Sequence, residues 1–156
     1  MTKRTITLGL TGSRIEPTWQ QKETLKEWLV LLNEERVIVD LHHGDCIGAD
    51  SVIQAIIEAR FPTINVIIHP PINEKYRAFN KGLILPRKEY LERNKDIVDS
   101  CDLLIAFPKD KTEVLRSGTW STIRYAVKKF KTVKIFLPNG RIEHNLPMKG
   151  GGKDGV

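Results

Sequence analysis

The chain has 156 residues, of which 40% are hydrophobic and 28% are charged. This length and balance suit one compact globular domain and exclude a disordered chain. No apolar run approaches the ~18 residues that a membrane-spanning helix needs, and the N-terminus lacks the apolar stretch of a signal peptide. The two cysteines, Cys46 and Cys101, show neither a disulfide framework nor the spacing of a zinc site. We therefore expect a cytoplasmic protein without a membrane partner.

The net charge of +6 is concentrated near the C-terminus. Residues 128–156 contain seven lysines and arginines against two acids, whereas residues 1–127 contain 18 against 17. This distribution predicts a single domain over residues 1–140, followed by a basic, flexible tail over residues 141–156. Two interpretations of the tail stay open, namely a solvated chain end or a segment that contacts the phosphate backbone of a nucleic acid.

The first half of the chain alternates apolar runs with amphipathic runs. Residues 5–11 are predicted to form a strand, and Pro17 then stands where a helix favours its first residue. The apolar run at 37–43 predicts a second strand, and the helix that follows it is stopped by Pro62. A short third strand is predicted at 65–69.

The second half opens with a connection, residues 70–86, that contains three prolines and a glycine. A connection of this length is often a lid or a binding loop, and the alternative is that its side chains pack it down onto the domain. A helix is predicted at 88–100 and a strand at 102–107. After a helix whose apolar stripe reaches Phe130, a last strand is predicted at 133–137.

This alternation of strands and helices predicts an α/β fold. Continuous apolar strands joined by helical crossovers form a parallel sheet that helices cover on both faces. Right-handed crossovers make a Rossmann-like, doubly wound, mainly parallel five-stranded sheet the simplest topology. Ligands bind such sheets beyond the carboxyl ends of the strands, so the turns that follow the strands are the candidate site.

The turn after the first strand contains Gly12, Ser13 and Arg14. The glycine permits a tight turn, the serine offers a hydroxyl, and the arginine offers a planar fork that suits phosphate or carboxylate. The alternative is an ordinary strand-to-helix turn with a solvated arginine. The dinucleotide fingerprint G-x-G-x-x-G is absent.

The turn after the second strand is a short loop, flanked by two glycines, that opens into a helix. Backbone N–H groups and the helix dipole at such a start favour an anion. Asp45 has three candidate roles: binding a ribose hydroxyl or a base N–H, acting as a general base, or ordering the loop. Asp50 is a candidate ligand contact or a helix cap. The candidate binding residues of this loop are Gly44, Asp45, Cys46, Gly48, Ala49 and Asp50.

Two further groups of polar residues stand near the fourth strand. Hydroxyl residues around a glycine precede the last long helix, where they suit a phosphate or cap the helix. The tryptophan after them is a base platform or buried packing. An arginine and an asparagine lie in the preceding helix, and the asparagine interrupts its apolar stripe. These candidates are Ser117, Gly118, Thr119, Trp120, Arg93 and Asn94.

No metal or cofactor is expected from the polar residues. His42 and His43 stand close to Asp45, but adjacent residues of a strand point to opposite faces of the sheet. Cys46 has no partner histidine at a recognisable spacing, which disfavours a thiol nucleophile.

These turns, taken in this order, resemble the SLOG superfamily and within it the small YspA/YpsA-related branch. The resemblance covers residues 5–140, and its most specific part is the segment 43–50. It implies a Rossmann-like fold that binds nucleotides or nucleotide-derived ligands, and relatives imply a homodimer. Related groups are the cytokinin-activating LOG phosphoribohydrolases, the DNA-processing protein that loads recombinase on single strands, and sensor domains for ADP-ribose-type signals.

The resemblance also bears on catalysis. In the LOG enzymes a helix arginine and a glutamate that follows a glycine-rich motif serve the reaction. Arg93 falls where that arginine is expected, and residues 117–122 fall on the glycine-rich motif. Arg124 and Tyr125 stand in place of the glutamate, which argues against LOG-type hydrolysis.

Three functions follow as hypotheses. The first is a sensor or sequestering module that binds the phosphate and ribose of a nucleotide-like ligand in a cleft at the strand ends. The second is an N-glycosidic hydrolase of the phosphoribohydrolase type, with Asp45 and Arg93 as the catalytic residues. The third is binding of single-stranded nucleic acid through the basic last helix and tail.

Overall fold

The computed structural model describes residues 3–145 and shows a seven-stranded sheet flanked by helices. The strands are β1 (Arg4–Gly12), β2 (Arg36–His43), β3 (Asn65–Ile68), β4 (Leu83–Ile84), β5 (Leu103–Phe107), β6 (Thr132–Phe136) and β7 (Ile142–His144). The helices are α1 (Trp19–Glu35), α2 (Ala49–Arg60), α3 (Tyr90–Ser100) and α4 (Gly118–Lys128). Within the described range, no helix is long and apolar enough to cross a membrane.

The sheet has the order β4-β3-β2-β1-β5-β6-β7. All neighbouring strands are parallel except β7, which runs antiparallel to β6. The chain therefore moves outward from β1 to β4 on one side, and then returns to add β5 to β7 on the other side. This reversal creates a crevice beyond the carboxyl ends of β1 and β5, where such sheets bind ligands.

The helices cover both faces of the sheet, as predicted. Leu25 of α1 and Ile53 of α2 pack on one face, in a cluster with Leu8 and Phe107 of the sheet. Ile97 of α3 packs on the other face in a second cluster, together with residues of α4 and β6. The predicted α/β class with a mainly parallel sheet is thus confirmed, and the arrangement is consistent with a Rossmann-like fold.

The predicted strand number of five is wrong, because the sheet has seven strands. β4 lies inside the connection 70–86 and pairs Leu83 with Ile67 of β3. β7 lies in the segment assigned to the tail and forms a hairpin with β6. The rest of the predicted tail, residues 146–156, lies outside the described residues.

The start of α1 is fixed by a reciprocal cap that ties it to the strand ends. Thr18 Oγ1 accepts from the Gln21 amide at 3.1 Å, and Gln21 Oε1 accepts from the Thr18 amide at 2.9 Å. The buried Gln21 Nε2 also donates to the carbonyls of Pro108 and Phe136. The elements around the crevice are therefore held together by hydrogen bonds as well as by packing.

Candidate functional site

A cleft of about 490 Å³ opens at the carboxyl ends of β1, β2 and β5. It lies at the strand reversal, and most of the residues predicted from the sequence line it. Those that line it are Gly12, Ser13, Arg14, Gly44, Cys46, Asp50, Arg93, Asn94, Ser117, Gly118 and Thr119. Four other candidates are not among the lining residues, namely Asp45, Gly48, Ala49 and Trp120.

Arg93 is the buried cation of the cleft, with 4% of its surface exposed. Its Nη1 donates to the carbonyls of Gly44 at 2.7 Å and His69 at 2.9 Å, and its Nε donates to Asn94 Oδ1 at 2.7 Å. The Nη2 atom has a long contact of 3.8 Å to Cys46 Sγ. No carboxylate among residues 3–145 forms an ion pair with this guanidinium. Its charge is therefore held in place by neutral acceptors, without a direct ion pair in the described chain.

Gly44 makes this arrangement possible. A Cβ atom at position 44 would lie 2.2 Å from Arg93 Nη1, so the guanidinium would have to leave its present position. The absence of a side chain at position 44 therefore allows the guanidinium to lie against the end of β2. Asn94 lines the same cleft, and its Oδ1 accepts from Arg93 Nε, so this side chain helps to orient the guanidinium.

Several backbone amides of the segment 43–50 are engaged within the protein itself. Four of its backbone amides already have acceptors: Asp45 N donates to His43 Nδ1, Cys46 N to Asp50 Oδ2, Ile47 N to the Tyr76 carbonyl and Ala49 N to the Ser13 carbonyl. Because these donors are used, they do not form the phosphate cradle that the glycine spacing predicted. Gly12 has a packing role next to this segment, because a Cβ atom at position 12 would lie only 2.3 Å from Ala49 Cβ.

Asp45 faces away from the cleft and anchors the connection 70–86. It is fully buried, and its Oδ1 accepts from both the backbone and side-chain nitrogens of Asn80 at 2.9 and 2.8 Å. Its Oδ2 accepts from Arg77 Nε at 2.9 Å. Of the three roles considered for Asp45, this geometry corresponds to ordering of the loop.

Asp50 is the buried carboxyl that does line the cleft. Only 5% of the residue is exposed, and its Oδ2 accepts from the Cys46 amide at 3.1 Å. Its Oδ1 has no hydrogen-bond partner within the part of the chain that the structure describes. Burial raises the pKa of this carboxyl above its ordinary value, and His43, the Cys46 amide, Arg93 and the Gly44 amide act in the opposite direction.

The thiol of Cys46 also lines the cleft. Burial raises its pKa, and the nearby Asp50 carboxyl adds to that shift, while Arg93 opposes it. A raised pKa leaves the thiol protonated at neutral pH, so it lacks the thiolate character of a nucleophile. Its contribution to the cleft is the surface of a small, weakly polar side chain.

The start of α4 forms the opposite wall of the cleft. Ser117 caps the helix, with its Oγ accepting from the Trp120 amide at 3.3 Å and its carbonyl from the Ser121 amide at 2.9 Å. The amides of Gly118 and Thr119 belong to the first turn, so they have no acceptor within the helix. The first turn contains no acidic residue, and the helix dipole there favours an anion.

Trp120 has the packing role that sequence analysis considered beside a base platform. It is 3% exposed and lies in the core cluster under α4. The described residues offer its buried Nε1 no acceptor. An aromatic side chain that does face the cleft is Tyr90, whose ring centre lies 5.1 Å from Arg93 Cζ.

The rim of the cleft carries an excess of positive charge. Arg14, Lys109 and Arg116 are exposed there, against one rim carboxylate, Asp110, which pairs with Lys109 at 3.2 Å. The Arg14 guanidinium stacks on the Tyr76 ring at 3.7 Å, which joins the rim to the connection 70–86. Sequence analysis missed Lys109, Asp110 and Tyr90, although the rule that sites follow strand ends indicates the first two.

Within the described residues, no group of three or more histidine, cysteine or acidic side chains is arranged to hold a metal ion. His42 Nδ1 and His69 Nε2 lie 2.8 Å apart, so these two rings are joined by a hydrogen bond. Burial, with the neighbouring His42 next in effect, lowers the pKa of His69 to about 4, so this ring is neutral at pH 7. His69, whose carbonyl accepts from Arg93, therefore adds no positive charge beside it.

Replacement of Gly48 by alanine should destabilise the fold strongly. Gly48 has a φ of 90°, and its Cβ would lie 2.4 Å from the Arg14 carbonyl oxygen. We expect a loss of roughly 2–4 kcal/mol in the free energy of unfolding. Gly118→Ala is the matched control, because a Cβ there meets nothing within 4 Å, and its effect should stay within about 0.5 kcal/mol. Urea denaturation measures both, and equal losses would contradict the assigned packing role of Gly48.

Solved structures share this fold at low sequence identity. A molybdenum cofactor binding protein from the phototrophic bacterium Rippkaea orientalis superposes with a TM-score of 0.59 and 20% identity, over 88% of this chain and 78% of that one. DNA processing protein A from Helicobacter pylori, described for its single-stranded DNA binding mode, superposes with a TM-score of 0.55 and 21% identity, over 83% of this chain and 64% of that one. No family model and no curated protein matches the sequence. At these identities the two likenesses show that the chain shares the fold of both proteins.

Proposed function

We propose that the cleft binds a nucleotide or a nucleotide-derived ligand through its phosphate. The observation that carries the proposal is the buried Arg93 guanidinium, which lines the cleft without a carboxylate partner in the described chain. A buried charge costs several kcal/mol unless it is compensated. An anionic ligand supplies that compensation, and the guanidinium fork suits a phosphate.

The start of α4 adds a second anion-binding element beside Arg93. Both the amides of its first turn and the hydroxyls of Ser117 and Thr119 border the same cleft. A phosphate between Arg93 and this helix start would form a charge-assisted hydrogen bond with the guanidinium on one side. On the other side it would accept hydrogen bonds from backbone N–H groups. The positive rim formed by Arg14, Lys109 and Arg116 would raise the local concentration of an anionic ligand.

The size of the cleft supports a small molecule as the ligand. Its volume of about 490 Å³ lies inside the range of about 300–1,000 Å³ that small-molecule sites occupy. The two structural neighbours bind a cofactor and single-stranded DNA, which supports a binding role for this chain without choosing its ligand. A sensor or sequestering module fits these features, since it needs affinity and no catalytic group.

A ligand panel tests the proposal. Thermal unfolding is measured with adenosine monophosphate, ADP, ADP-ribose and NAD, and with adenosine as the control that lacks phosphate. A ligand at one hundred times its dissociation constant should stabilise the fold by about 2.7 kcal/mol, which is a readily measured melting shift. Phosphate-bearing ligands should raise the melting temperature and adenosine should not. If adenosine shifts it as much as adenosine monophosphate does, the phosphate role of the cleft is wrong.

The same samples separate binding from hydrolysis. An N-glycosidic hydrolase needs a carboxylate next to the sugar, and the two carboxylates that line this cleft are Asp50 and Asp110. Chromatography of the incubated mixtures would reveal free adenine or nicotinamide if the protein turns the ligand over. Binding without release of the base supports the module, and steady release supports the enzyme.

Single-stranded nucleic acid is the second candidate, favoured by the net charge of +6 and by the second structural neighbour. Its signature is an affinity for an oligonucleotide that falls steeply with salt concentration. Competition distinguishes the two candidates. Adenosine monophosphate should not displace an oligonucleotide that is held by charged residues outside the cleft.

A further inference from the structure

Phe130 is the most exposed large hydrophobic side chain of the described residues, with 96% of its surface accessible to solvent. It directly follows the end of α4 and precedes β6. Within residues 3–145, no other ring and no cation stacks on it. Both faces of the ring are therefore open to a partner.

The backbone at Phe130 makes this exposure unusual. Its φ of 60° lies in the left-handed region, which glycine enters freely and a residue with a Cβ atom enters at a cost. The residue closes α4 in a Schellman motif, in which its amide donates to the Val127 carbonyl and the Lys131 amide donates to the Ala126 carbonyl. Glycine usually occupies this position. A phenylalanine here gains neither burial nor a relaxed backbone, which points to a role outside the fold.

Lysines adjoin this ring on both sides in the sequence. Lys128 and Lys129 precede it, and Lys131 follows it. The longer segment 114–142 contains seven lysines and arginines and no acid. No carboxylate among the described residues forms an ion pair with any of the three lysines. The four residues 128–131, which we call the Phe130 surface, therefore combine a free ring with unpaired positive charge.

The protein groups next to these lysines do not neutralise them. Lys131 Nζ donates to the Cys101 carbonyl at 2.9 Å. Lys129 Nζ lies 5.7 Å from the centre of the Tyr125 ring, and the Tyr125 hydroxyl donates to Asp99 of α3 at 3.0 Å. The carboxylate of Asp99 is thus bonded to a phenol and not to a lysine. The surface keeps a local positive charge that suits an anionic partner.

The Phe130 surface is separate from the cleft. Ser117 and Thr119 line the cleft at the start of α4, whereas Phe130 follows its last residue. The helix has 11 residues, which corresponds to a length of about 16 Å. A small ligand held at Arg93 and a partner on the Phe130 surface can therefore bind independently.

A flat ring among lysines matches single-stranded nucleic acid. Its unpaired bases can stack on an aromatic side chain while the phosphates of the backbone meet the cations. An anionic membrane is the other partner that a basic surface attracts, but a helix that lies on a membrane buries a stripe of apolar side chains. Among the described residues after Leu115, no large hydrophobic side chain other than Phe130 is exposed.

We propose that Phe130 is a stacking platform for a base of single-stranded nucleic acid, with Lys128, Lys129 and Lys131 against the neighbouring phosphates. This inference rests on the second candidate function given above and assigns it a surface. It does not depend on nucleotide binding in the cleft.

Variants at position 130 test the stacking role. Fluorescence anisotropy measures the affinity for a labelled oligothymidylate of about 12 nucleotides. Phe130→Gly should weaken binding about fivefold to hundredfold, which is the range for base stacking on an aromatic side chain. Phe130→Trp keeps an aromatic plane and should retain the affinity. Phe130→Leu keeps apolar surface without a ring and should lose most of the affinity that Phe130→Gly loses.

Folding is not a confounding factor for Phe130→Gly, because glycine suits the left-handed backbone at this position. Its melting temperature should be no lower than that of the wild type. Phe79→Gly is the matched control, since Phe79 also has a positive φ, of 58°, and is 61% exposed. The Arg77 guanidinium lies 4.6 Å from the centre of the Phe79 ring, so one face of that ring is already used. This control should bind the oligonucleotide as the wild type does.

Salt dependence tests the lysines. Each phosphate contact with a single strand contributes about 0.7 to the slope of log affinity against log salt concentration. Replacing Lys128 and Lys129 by glutamine should therefore reduce the slope by about 1.4. The matched control replaces Lys75 and Lys81, exposed lysines of the connection 70–86, and should keep the slope. Phe130→Gly should weaken binding with the slope unchanged.

The outcomes separate this inference from the function on which it rests. Affinity that is lost in Phe130→Gly and retained in Phe130→Trp supports the platform. Unchanged affinity in Phe130→Gly overturns the platform and leaves nucleic-acid binding in place. Equal affinity of the wild type for a duplex of the same length also overturns stacking, and so does binding to phosphatidylserine vesicles that persists in Phe130→Leu while the oligonucleotide does not bind. Failure of the wild type to bind any oligonucleotide overturns the second candidate function itself.

Discussion

Asp45→Ala should destabilise the protein by roughly 3–5 kcal/mol, which is the usual cost of removing one partner from a buried ion pair. The Asp45 carboxylate is fully buried and accepts three hydrogen bonds, one from Arg77 and two from Asn80. Its removal leaves the buried Arg77 guanidinium with Glu74 as its remaining carboxylate partner. The connection 70–86 should then open locally before the rest of the fold unfolds.

Urea denaturation measures this loss, and hydrogen exchange of the amides in residues 76–80 measures the local opening. Asp110→Ala is the control, because its pair with Lys109 lies at the surface and contributes about 0–1 kcal/mol. A small loss in Asp45→Ala, similar to the control, would show that the connection does not depend on this anchor.

Arg93→Met should lower the affinity for a phosphate-bearing nucleotide by about thirtyfold to several thousandfold, since truncating a buried charged contact costs about 2–5 kcal/mol of binding free energy. The free protein is expected to change less. The carbonyls of Gly44 and His69 lose their donor, which lowers the stability of the variant. Removal of a buried charge without an ion-pair partner raises the stability, so the two effects oppose each other.

Isothermal titration with adenosine monophosphate measures the affinity, and thermal unfolding of the free variant checks that it folds. Arg116→Met is the matched control, because Arg116 lines the same cleft as an exposed side chain. Its loss should be less than about tenfold, as expected for a screened rim charge. Equal losses in the two variants would mean that the general field of the cleft, and not the buried guanidinium, holds the phosphate.

Much of the fold was predictable because its strands are short apolar runs and its helices show apolar residues at helical spacing. The two missed strands lack these signals. β4 consists of two exposed residues, Leu83 and Ile84, and its existence depends on pairing with β3, which is distant in sequence. β7 has only three residues, in a segment without apolar periodicity, and it forms by pairing with β6 across the turn that contains Gly140.

The position of the cleft was predictable from the rule that ligands bind where strand order reverses, and most of its lining follows from that rule. The roles of individual residues were less accessible. Asp45 and Asp50 are two acids of one loop, and nothing in their spacing says which one faces the cleft. The positive φ of Asp45 and its partners more than 30 residues away decide it. Leu91 likewise fits the apolar stripe of α3 but is 63% exposed.

The glycines in the turns after β1 and β2 are explained by contacts within the protein. Gly12 makes room for Ala49, Gly44 for the guanidinium of Arg93, and Gly48 for the backbone of Arg14. Each of these glycines makes room for another part of the same chain. They therefore indicate close packing between the loops that follow neighbouring strands. If the proposed phosphate site is right, Arg93, in the helix before β5, marks it better than these glycines do.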